Sequence, residues 1–398
     1  MTGPLDGIRI IDLTAMISGP LATMMLADQG AEVIKVENPV GGDFTRSAAN
    51  RQGEMSALYL NNNRNKKSVA LNLKEQEGRD ALLRLVATAD VFVQNFRPGV
   101  IERMGLGEEQ LRRVAPNLIM VSISGFGDTG PYSERPVYDP LIQGLSGLAT
   151  VQAGADELRP QLVRTILPDK LTGVTAAQAI TAALFARERT GEPQHVRLSM
   201  LDAIIAFLWS SDMGSQTFVH SEVPQQEAAS LQDLIYETTT GYITIAVQSD
   251  REWQALIRAL NRPDWTKDPR FLTAELRQEN IDARLELIQS VIKTDSAEHW
   301  QARLEAERVP CAPVLTRTQL LDHPQVQANN LLSHYDHPQA GRLRQARAPS
   351  RFSATPEQHW QGAPRLGEQT RELLAECGYS VEEIQAMCDS GIASVPAE

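Results

Sequence analysis

Short apolar runs alternate with amphipathic stretches along the first 200 residues of the chain. A run at residues 8–13 is followed by a helical pattern from Leu21 to Gly30 and by a second run at residues 31–37. This order predicts a βαβ unit, in which a helix joins two parallel strands. Further runs follow at residues 67–73, 90–96 and 118–124. The alternation predicts an α/β fold with an open, doubly wound parallel sheet.

The pattern changes after residue 200. Residues 201–232 hold an apolar helix and then a polar stretch without an apolar period, which predicts a linker. Residues 233–318 carry a hairpin signal and several helical patterns, so we expect a smaller α/β domain inserted into the chain. Residues 319–345 are expected to return as a second linker. We then expect residues 346–398 to complete a large domain begun by residues 1–200.

Composition and charge narrow the class of protein. Of 398 residues, 42% are hydrophobic and 22% are charged, and the net charge is −12. A strongly acidic chain of this kind is poorly suited to bind nucleic acid. The N-terminus shows no secretory signal, and no stretch is apolar for long enough to span a membrane. We therefore expect a cytoplasmic enzyme.

No motif for a common cofactor or metal is complete. The glycines of residues 125–130 approach the G-x-G-x-x-G dinucleotide motif, but Pro131 and the polar residues after it do not continue as the required helix. His334 and His337 have the side chains of metal ligands, yet they lie in a predicted polar loop. The three cysteines have no metal-ligand spacing. We expect no metal and no tightly bound cofactor.

Residues 61–74 form a local basic run in this acidic chain. Arg64, Lys66, Lys67 and Lys74 lie there with no acidic residue among them. Such a run is typical of a solvated face, and it is also typical of a positive pocket for a phosphate-rich ligand. The run alone leaves both interpretations open.

Asp169 lies at the start of an apolar helix, predicted at residues 167–185, that is dense in small residues. A carboxylate there would lie among the free N–H groups of the first helical turn. Asp is a preferred N-cap, so the residue could simply begin the helix. Alternatively, it is a carboxylate nucleophile of the kind that forms covalent acyl intermediates.

Eight segments together carry a family resemblance that spans nearly the whole chain in order. They are residues 4–13 (PLDGIRIIDL), 30–37 (GAEVIKVE), 63–68 (NRNKKS), 95–99 (NFRPG), 122–131 (SISGFGDTGP), 189–195 (RTGEPQH), 309–314 (VPCAPV) and 366–370 (LGEQT). They resemble the family III CoA-transferases, the CaiB/BaiF group that includes formyl-CoA transferase. The resemblance implies a Rossmann-like large domain, a small domain joined by two linkers, and an interlocked homodimer.

The resemblance also implies a site and a reaction. The family's catalytic aspartate falls at Asp169. The implied contacts to coenzyme A, which is a substrate here, are Ile17, Ser18, Leu71, Asn72, Leu73, Lys74, Asn95, Phe96, Arg97, Arg103, Tyr138 and Asp139. In the implied reaction, CoA moves from an acyl-CoA donor to a carboxylic acid acceptor through an anhydride and an aspartyl-CoA thioester.

Two departures from formyl-CoA transferase bear on the acyl group. That enzyme has a glutamine where this chain has Ile17, and a glycine-rich loop where residues 225–234 contain no glycine. Both changes remove features tied to small oxalyl and formyl groups. We expect a roomier and less polar acyl pocket, although the sequence does not identify the donor or the acceptor.

Two alternatives to transfer remain open. The α-methylacyl-CoA racemases share the fold and look to use a histidine directly before the aspartate equivalent to Asp139. This chain has Tyr138 at that position, and a phenol with a pKa of about 10 is poorly suited to carry a proton at neutral pH. The other alternative is a non-catalytic acyl-CoA binding protein, which the presence of Asp169 disfavours.

Overall fold

The structure is a computed structural model that describes residues 3–53, 55–219, 234–356 and 361–396. The chain divides into two compact units. One is formed by Met1–Gln226 together with Leu331–Glu398, and the other by Glu227–Asn330. Both ends of the second unit therefore connect to the first.

The first unit begins with strands and helices in alternation. Its strands are β1 (Arg9–Leu13), β2 (Glu32–Glu37), β3 (Arg51–Gln52), β4 (Met55–Ser56), β5 (Lys66–Leu71), β6 (Val91–Gln94), β7 (Ile119–Ser124) and β8 (His195–Ser199). Its helices are α1 (Ser18–Asp28), α2 (Ala57–Asn63), α3 (Gln76–Val86), α4 (Val100–Arg103), α5 (Glu108–Val114), α6 (Asp139–Leu145), α7 (Leu148–Ala153), α8 (Leu167–Thr190), α9 (Met200–Trp209) and α10 (Gly214–Thr217).

The second unit is a small α/β assembly. Its strands are β9 (Ile235–Glu237), β10 (Tyr242–Ile245) and β11 (Cys311–Pro313), which form an antiparallel sheet in the order β11-β10-β9. Its helices are α11 (Asp250–Ala259), α12 (Ala274–Glu279), α13 (Ile281–Ile292), α14 (Ala297–Ala306), α15 (Gln319–Asp322) and α16 (Pro324–Ala328). Its core is rich in aromatic side chains, among which Trp253 and Trp265 stack with ring centroids 6.1 Å apart.

The chain then returns to the first unit. It forms β12 (Leu332–His337), β13 (Gly341–Ala346), α17 (Thr370–Glu376), α18 (Val381–Asp389) and β14 (Ala393–Ser394). Strands β12 and β13 pair as an antiparallel hairpin. Residues 319–345, predicted as a linker, thus contain α15, α16 and most of this hairpin.

The seven-stranded sheet of the first unit has the order β14-β5-β2-β1-β6-β7-β8. All pairs are parallel except β14 with β5. Helices α1 and α8 cover one face, while α3, α5, α17 and α18 pack on the other. The predicted α/β fold with a parallel sheet is confirmed. Because the carboxyl ends of parallel strands lie at one edge, the loops after β1, β2, β5, β6 and β7 are brought together there.

No helix in the described ranges is long and apolar enough to cross a membrane.

Candidate functional site

The loop between β1 and α1 is fixed from the neighbouring strand. Asn95, directly after β6, accepts the Ala15 N–H at 2.9 Å through Oδ1 and donates to the Ala15 carbonyl at 2.8 Å through Nδ2. The next residue, Met16, has a φ of 70°, which residues with a Cβ rarely adopt. The chain consequently turns sharply enough for α1 to begin at Ser18.

Buried charges support this loop from below. The Lys35 ammonium, which is fully buried, donates to the Thr14 carbonyl at 2.8 Å and lies 2.9 Å from the Asp43 carboxylate. Asp12 accepts from the Thr14 N–H and pairs with Lys66 at 2.9 Å. Burial would raise the pKa of Asp12, but the two ammonium groups outweigh it and hold that pKa well below its ordinary value. The cluster therefore stays charged and holds the loop rigidly.

The predicted basic run belongs largely to this kind of internal pairing. Arg64 is buried against Asp28 at 2.5 Å, Lys66 is buried against Asp12, and Lys67 pairs with Glu32 and Glu372 at 2.9 and 2.8 Å. Neither a solvated face nor a ligand pocket describes Arg64 and Lys66, so both interpretations of the run are wrong for these two residues. Lys74 is the fully exposed member.

Lys74 lies in an open cleft of about 320 Å³ beyond the carboxyl ends of β2 and β5. The lining residues are Asn38, Pro39, Val40, Asn72, Lys74 and Gly391. The sequence prediction named only Asn72 and Lys74 from this set. Residues 38–40 could have been named on the same ground as Lys74, because they too directly follow a predicted strand. Gly391 could not, because it comes from a distant part of the sequence.

Two more of the predicted residues carry exposed positive charges, Arg97 and Arg103. Gly99 lies between them with a φ of 80° and begins α4. A Cβ at Gly99 would lie 2.9 Å from an Arg103 Nη atom, so this guanidinium packs directly over the loop. The loop after β6 thus presents two arginines at the edge of the sheet.

Asp169 is the third residue of α8, and the N-cap is Ile166. The interpretation of Asp169 as the N-cap is therefore wrong. The capping is done from another helix, because Asp139 accepts the Asp169 N–H at 3.2 Å. Gln143 holds Asp139 in turn by donating to its other oxygen at 2.6 Å.

The Asp169 carboxylate faces the start of α1. The Ser18 N–H, a free donor of the first turn of α1, interacts with this carboxylate and lowers its pKa. The two helices touch here, since a Cβ at Gly173 would lie 2.9 Å from the Ser18 carbonyl oxygen. Burial and, to a lesser degree, the Asp139 carboxylate together raise the pKa of Asp169 to about 6, against the opposing effect of the Ser18 N–H.

The structure thus brings Ile17, Ser18, Asp139 and Asp169 into one cluster, which Asn95 braces through the loop after β1. The phenol of Tyr138 is 69% exposed beside it. Leu71 is buried in the core, so only its backbone can meet a ligand. Leu73 and Phe96 also pack against the core.

Neither histidine of the predicted polar loop is part of a metal site. His334 and His337 lie on strand β12, and His337 is buried with Nε2 2.9 Å from the Ala363 carbonyl. Within the described ranges, no group of three or more His, Cys, Asp or Glu side chains is arranged to hold a metal ion. The glycine-free stretch at residues 225–234 lies outside the described residues, except for Leu234.

Comparison with known proteins identifies one family. The model of CoA-transferase family III matches residues 5–370. The chain is 34% identical to acetyl-CoA:oxalate CoA-transferase of Acetobacter aceti, over 94% of this chain and 96% of that one. It is 33% identical to succinyl-CoA:glutarate CoA-transferase of Mus musculus, over 98% of this chain and 90% of that one. A CAIB/BAIF family protein from Brucella suis has a crystal structure that matches with a TM-score of 0.82 and 31% identity, covering 95% of this chain and 100% of that chain.

The chain belongs to CoA-transferase family III, as the sequence motifs predicted. It is an enzyme of the CoA-transferase class. The two named relatives use different donors and acceptors at nearly the same identity, 34% and 33%. Overall similarity therefore does not select a substrate, and the choice has to be argued from the site.

Proposed function

We propose that the enzyme moves CoA from an acyl-CoA donor to a carboxylic acid acceptor through covalent intermediates on Asp169. The Asp169 carboxylate attacks the donor thioester carbonyl, which breaks the C–S bond and gives a mixed anhydride and CoA thiolate. The thiolate attacks the aspartyl carbonyl, which releases the donor's carboxylate and leaves an aspartyl-CoA thioester. The acceptor carboxylate then reacts by the reverse sequence, so that the acyl-CoA product leaves and free Asp169 returns.

The position of the Asp169 carboxylate carries this proposal. A carboxylate is a weak nucleophile, and a raised pKa makes it more basic while it stays ionised at neutral pH. The Ser18 N–H interacts with the ionised carboxylate and would help to orient it. The N-terminus of α1 also offers positive partial charge where oxyanions would develop.

We place CoA along the carboxyl edge of the sheet. CoA carries several phosphate charges, and the exposed cations at this edge are Lys74, Arg97 and Arg103. The cleft beside Lys74 has room for part of the nucleotide. Binding energy from this remote part of the substrate would then help the weak nucleophile at the reacting carbonyl.

Replacing the nucleophile tests the mechanism. Asp169→Ala should lower transfer by on the order of 10³-fold or more, while CoA affinity measured by calorimetry stays close to that of the wild type. Intact-protein mass spectrometry of the wild type with donor alone should show an aspartyl-CoA adduct, which the variant should lack. Asp282→Ala is the control, because Asp282 also lies in the first turn of its helix, α13, and is exposed. Substantial transfer by Asp169→Ala would remove the residue from the mechanism.

The acyl group is proposed to be larger and less polar than formyl or oxalyl. Ile17 is buried and directly precedes Ser18, whose N–H interacts with the nucleophile, so this position lies beside the reacting centre. We expect C4 and C5 dicarboxylates to be better acceptors than oxalate by about tenfold or more, since each buried methylene contributes about 0.8 kcal/mol. A panel of acids, read by mass spectrometry of the CoA products, measures this preference. Ile17→Gln should shift it towards oxalate; equal use of oxalate and glutarate by the wild type would contradict the proposal.

We also propose that the enzyme acts as a homodimer, as the family resemblance implies. Helix α9 supports this, because its only polar residue is Asp202 and its Phe207 and Trp209 are each 47% exposed. A helix that is apolar nearly all round is normally buried on all sides. A second copy of the chain is the occupant proposed for this face.

A further inference from the structure

A continuous series of hydrogen bonds crosses the edge of the large sheet. Glu108, the first residue of α5, lies 2.7 Å from Nδ1 of His195 on β8, and His195 Nε2 lies 2.8 Å from the Ser122 hydroxyl on β7. Ser122 accepts from the Gln94 amide at 2.9 Å. Gln94, the last residue of β6, accepts the Phe96 N–H at 2.7 Å. Four hydrogen bonds therefore connect an edge strand to the loop after β6.

The chemistry of these groups fixes one direction for the series. The Glu108 carboxylate can only accept, so the proton of a neutral His195 ring lies on Nδ1 and Nε2 is left as an acceptor. The Ser122 hydroxyl then donates to Nε2 and accepts from the Gln94 amide. The carbonyl end of the Gln94 side chain consequently points at the Phe96 N–H. A flipped Gln94 amide would put its NH₂ group against that N–H.

The end of this series controls two loops of the proposed CoA site. Phe96 lies between Asn95, which binds both backbone groups of Ala15, and the exposed Arg97. Holding the Phe96 N–H fixes the direction in which the chain leaves β6. The Asn95 amide and the Arg97 backbone depend on that direction.

We propose that His195 is a positioning residue: in its Nδ1–H form, set by Glu108, it orients Ser122 and Gln94 and so holds the residue 95–97 loop in its CoA-binding geometry. This inference rests on the proposed function. It assigns a role to the last residue of the 189–195 motif, a side chain of β8 for which the family resemblance implied no function.

Ser122, His195 and Glu108 also have the residue types of a serine-hydrolase triad. Two observations favour positioning over nucleophilic catalysis. Ser122 lies inside β7, which is paired with β6 and β8 on its two sides, rather than on an exposed turn. Its oxygen is also occupied by the Gln94 amide. A fluorophosphonate probe should therefore leave Ser122 unlabelled.

Affinity for CoA tests the role directly. His195→Phe removes the acceptor for Ser122, and we expect the Kd for CoA to rise about three- to tenfold, the effect of one lost neutral hydrogen bond. Ser122→Ala, a smaller change, should give the same rise. His195→Gln, whose side-chain carbonyl can still accept from Ser122, should restore most of the affinity. Arg197→Gln is the matched control, because Arg197 contacts the same Glu108 at 3.3 Å but lies outside the series.

Nitrogen NMR of the ¹⁵N-histidine-labelled enzyme adds a readout that needs no turnover. It should show His195 protonated on Nδ1 alone at pH 8. Protonation on Nε2, labelling of Ser122, or His195→Phe with the CoA affinity of Arg197→Gln would each overturn the inference. A wild-type enzyme that binds CoA but transfers nothing would overturn the proposed function instead, and one that does not bind CoA would overturn both.

Discussion

The Asp139 carboxylate affects Asp169 in two ways. Asp139 accepts the Asp169 N–H and so stabilises the first turn of α8. Its negative charge also adds to the burial that raises the pKa of Asp169 to about 6. A more basic carboxylate attacks better, but below that pKa it is largely protonated and cannot attack. The raised pKa thus makes Asp169 a better nucleophile but narrows the pH range in which it is ionised.

The acidic limb of the pH–rate profile should show the pH at which Asp169 becomes ionised. For the wild type, kcat/KM should rise with pH and level off above about 6, where Asp169 is ionised. Asp139→Asn removes the neighbouring charge while its amide oxygen can still accept the Asp169 N–H. The limb should therefore move to lower pH, although burial still keeps it above the ordinary value of about 3.9. A profile of kcat/KM from pH 4 to 9 measures the shift.

The plateau rate of Asp139→Asn should also fall, because the carboxylate becomes less basic. Asp282→Asn, which changes an exposed carboxylate in the first turn of α13, serves as the control and should leave the limb in place. If Asp139→Asn left the acidic limb at the same pH, the charge of Asp139 would have no effect on the pKa of Asp169.

The sequence identified candidate site residues by their positions, but it did not predict which residues they contact. Residues such as Ser18, Asn95 and Asp169 could be found because motifs lie beside them in the chain. Their partners could not be found, because they come from distant positions. Asp139 lies 30 residues before Asp169, and the partner of Lys66 lies 54 residues away. Local sequence preference predicted Asp169 as the N-cap of α8. In the structure Asp139, which is distant in the sequence, accepts an N–H of the first turn of that helix instead.

Helices α1 and α8 pack against each other, and Gly173 lies at one of their close contacts. Gly173 lies one turn after Asp169, and a Cβ there would come within 2.9 Å of the Ser18 carbonyl oxygen and 3.0 Å of the Leu21 side chain. Only a residue without a side chain lets the start of α1 approach the nucleophile this closely. The interaction of the Ser18 N–H with the Asp169 carboxylate depends on that approach.

Gly173→Ala should therefore do the opposite of what helix propensity predicts. Glycine in a helix interior is about 0.5–1 kcal/mol less stable than alanine, so propensity alone favours the variant. Because the methyl group would collide with backbone, we expect α1 to be displaced, thermal stability to fall, and kcat/KM to drop about tenfold or more. Differential scanning fluorimetry and steady-state rates measure the two effects.

Gly144→Ala is the matched control. Gly144 is also helical, in α6, but a Cβ there would meet nothing within 4 Å. This variant should keep its activity and its stability. Equal behaviour of the two alanine variants would contradict the close contact between α1 and α8.

The elements of the sheet were predicted to different degrees. Strands β1, β2, β5, β6 and β7 each contain at least two adjacent apolar residues, because both faces of a central parallel strand are covered by helices. Strands β8 and β14 carried no such signal. They are the two edge strands, β8 is only partly buried, and β14 has two residues. Pairing with a neighbour, rather than hydrophobicity, makes them strands.

Strand β14 matters for the molecule as a whole. It pairs with β5 at the edge of the sheet, and its residues follow the second unit in the sequence. The Asn72 N–H bonds to the Ile392 carbonyl at 2.7 Å, which places Gly391 in the cleft beside Lys74. The proposed CoA site is therefore complete only when both ends of the chain have joined one sheet.

The apolar surface of α8 and α9 leads to the largest-scale prediction. The long helix α8, which packs against α9, also exposes two large apolar side chains: Val174 is 47% exposed and Phe185 is 63% exposed. Large apolar side chains clustered on the surface of one unit mark an interaction site. If a second copy covers them, the wild type should sediment at twice the chain mass at micromolar concentration.

Trp209→Glu should weaken this association, because it would bury an unpaired charge in the interface. Sedimentation velocity should then show a lighter species, and transfer activity should fall with the dimer fraction. Val381→Glu is the control, since Val381 is 71% exposed on α18, away from this surface, and should leave the mass unchanged. A wild type that stays at the mass of one chain, with full activity, would rule out the dimer. The exposed face of α9 would then need a different partner.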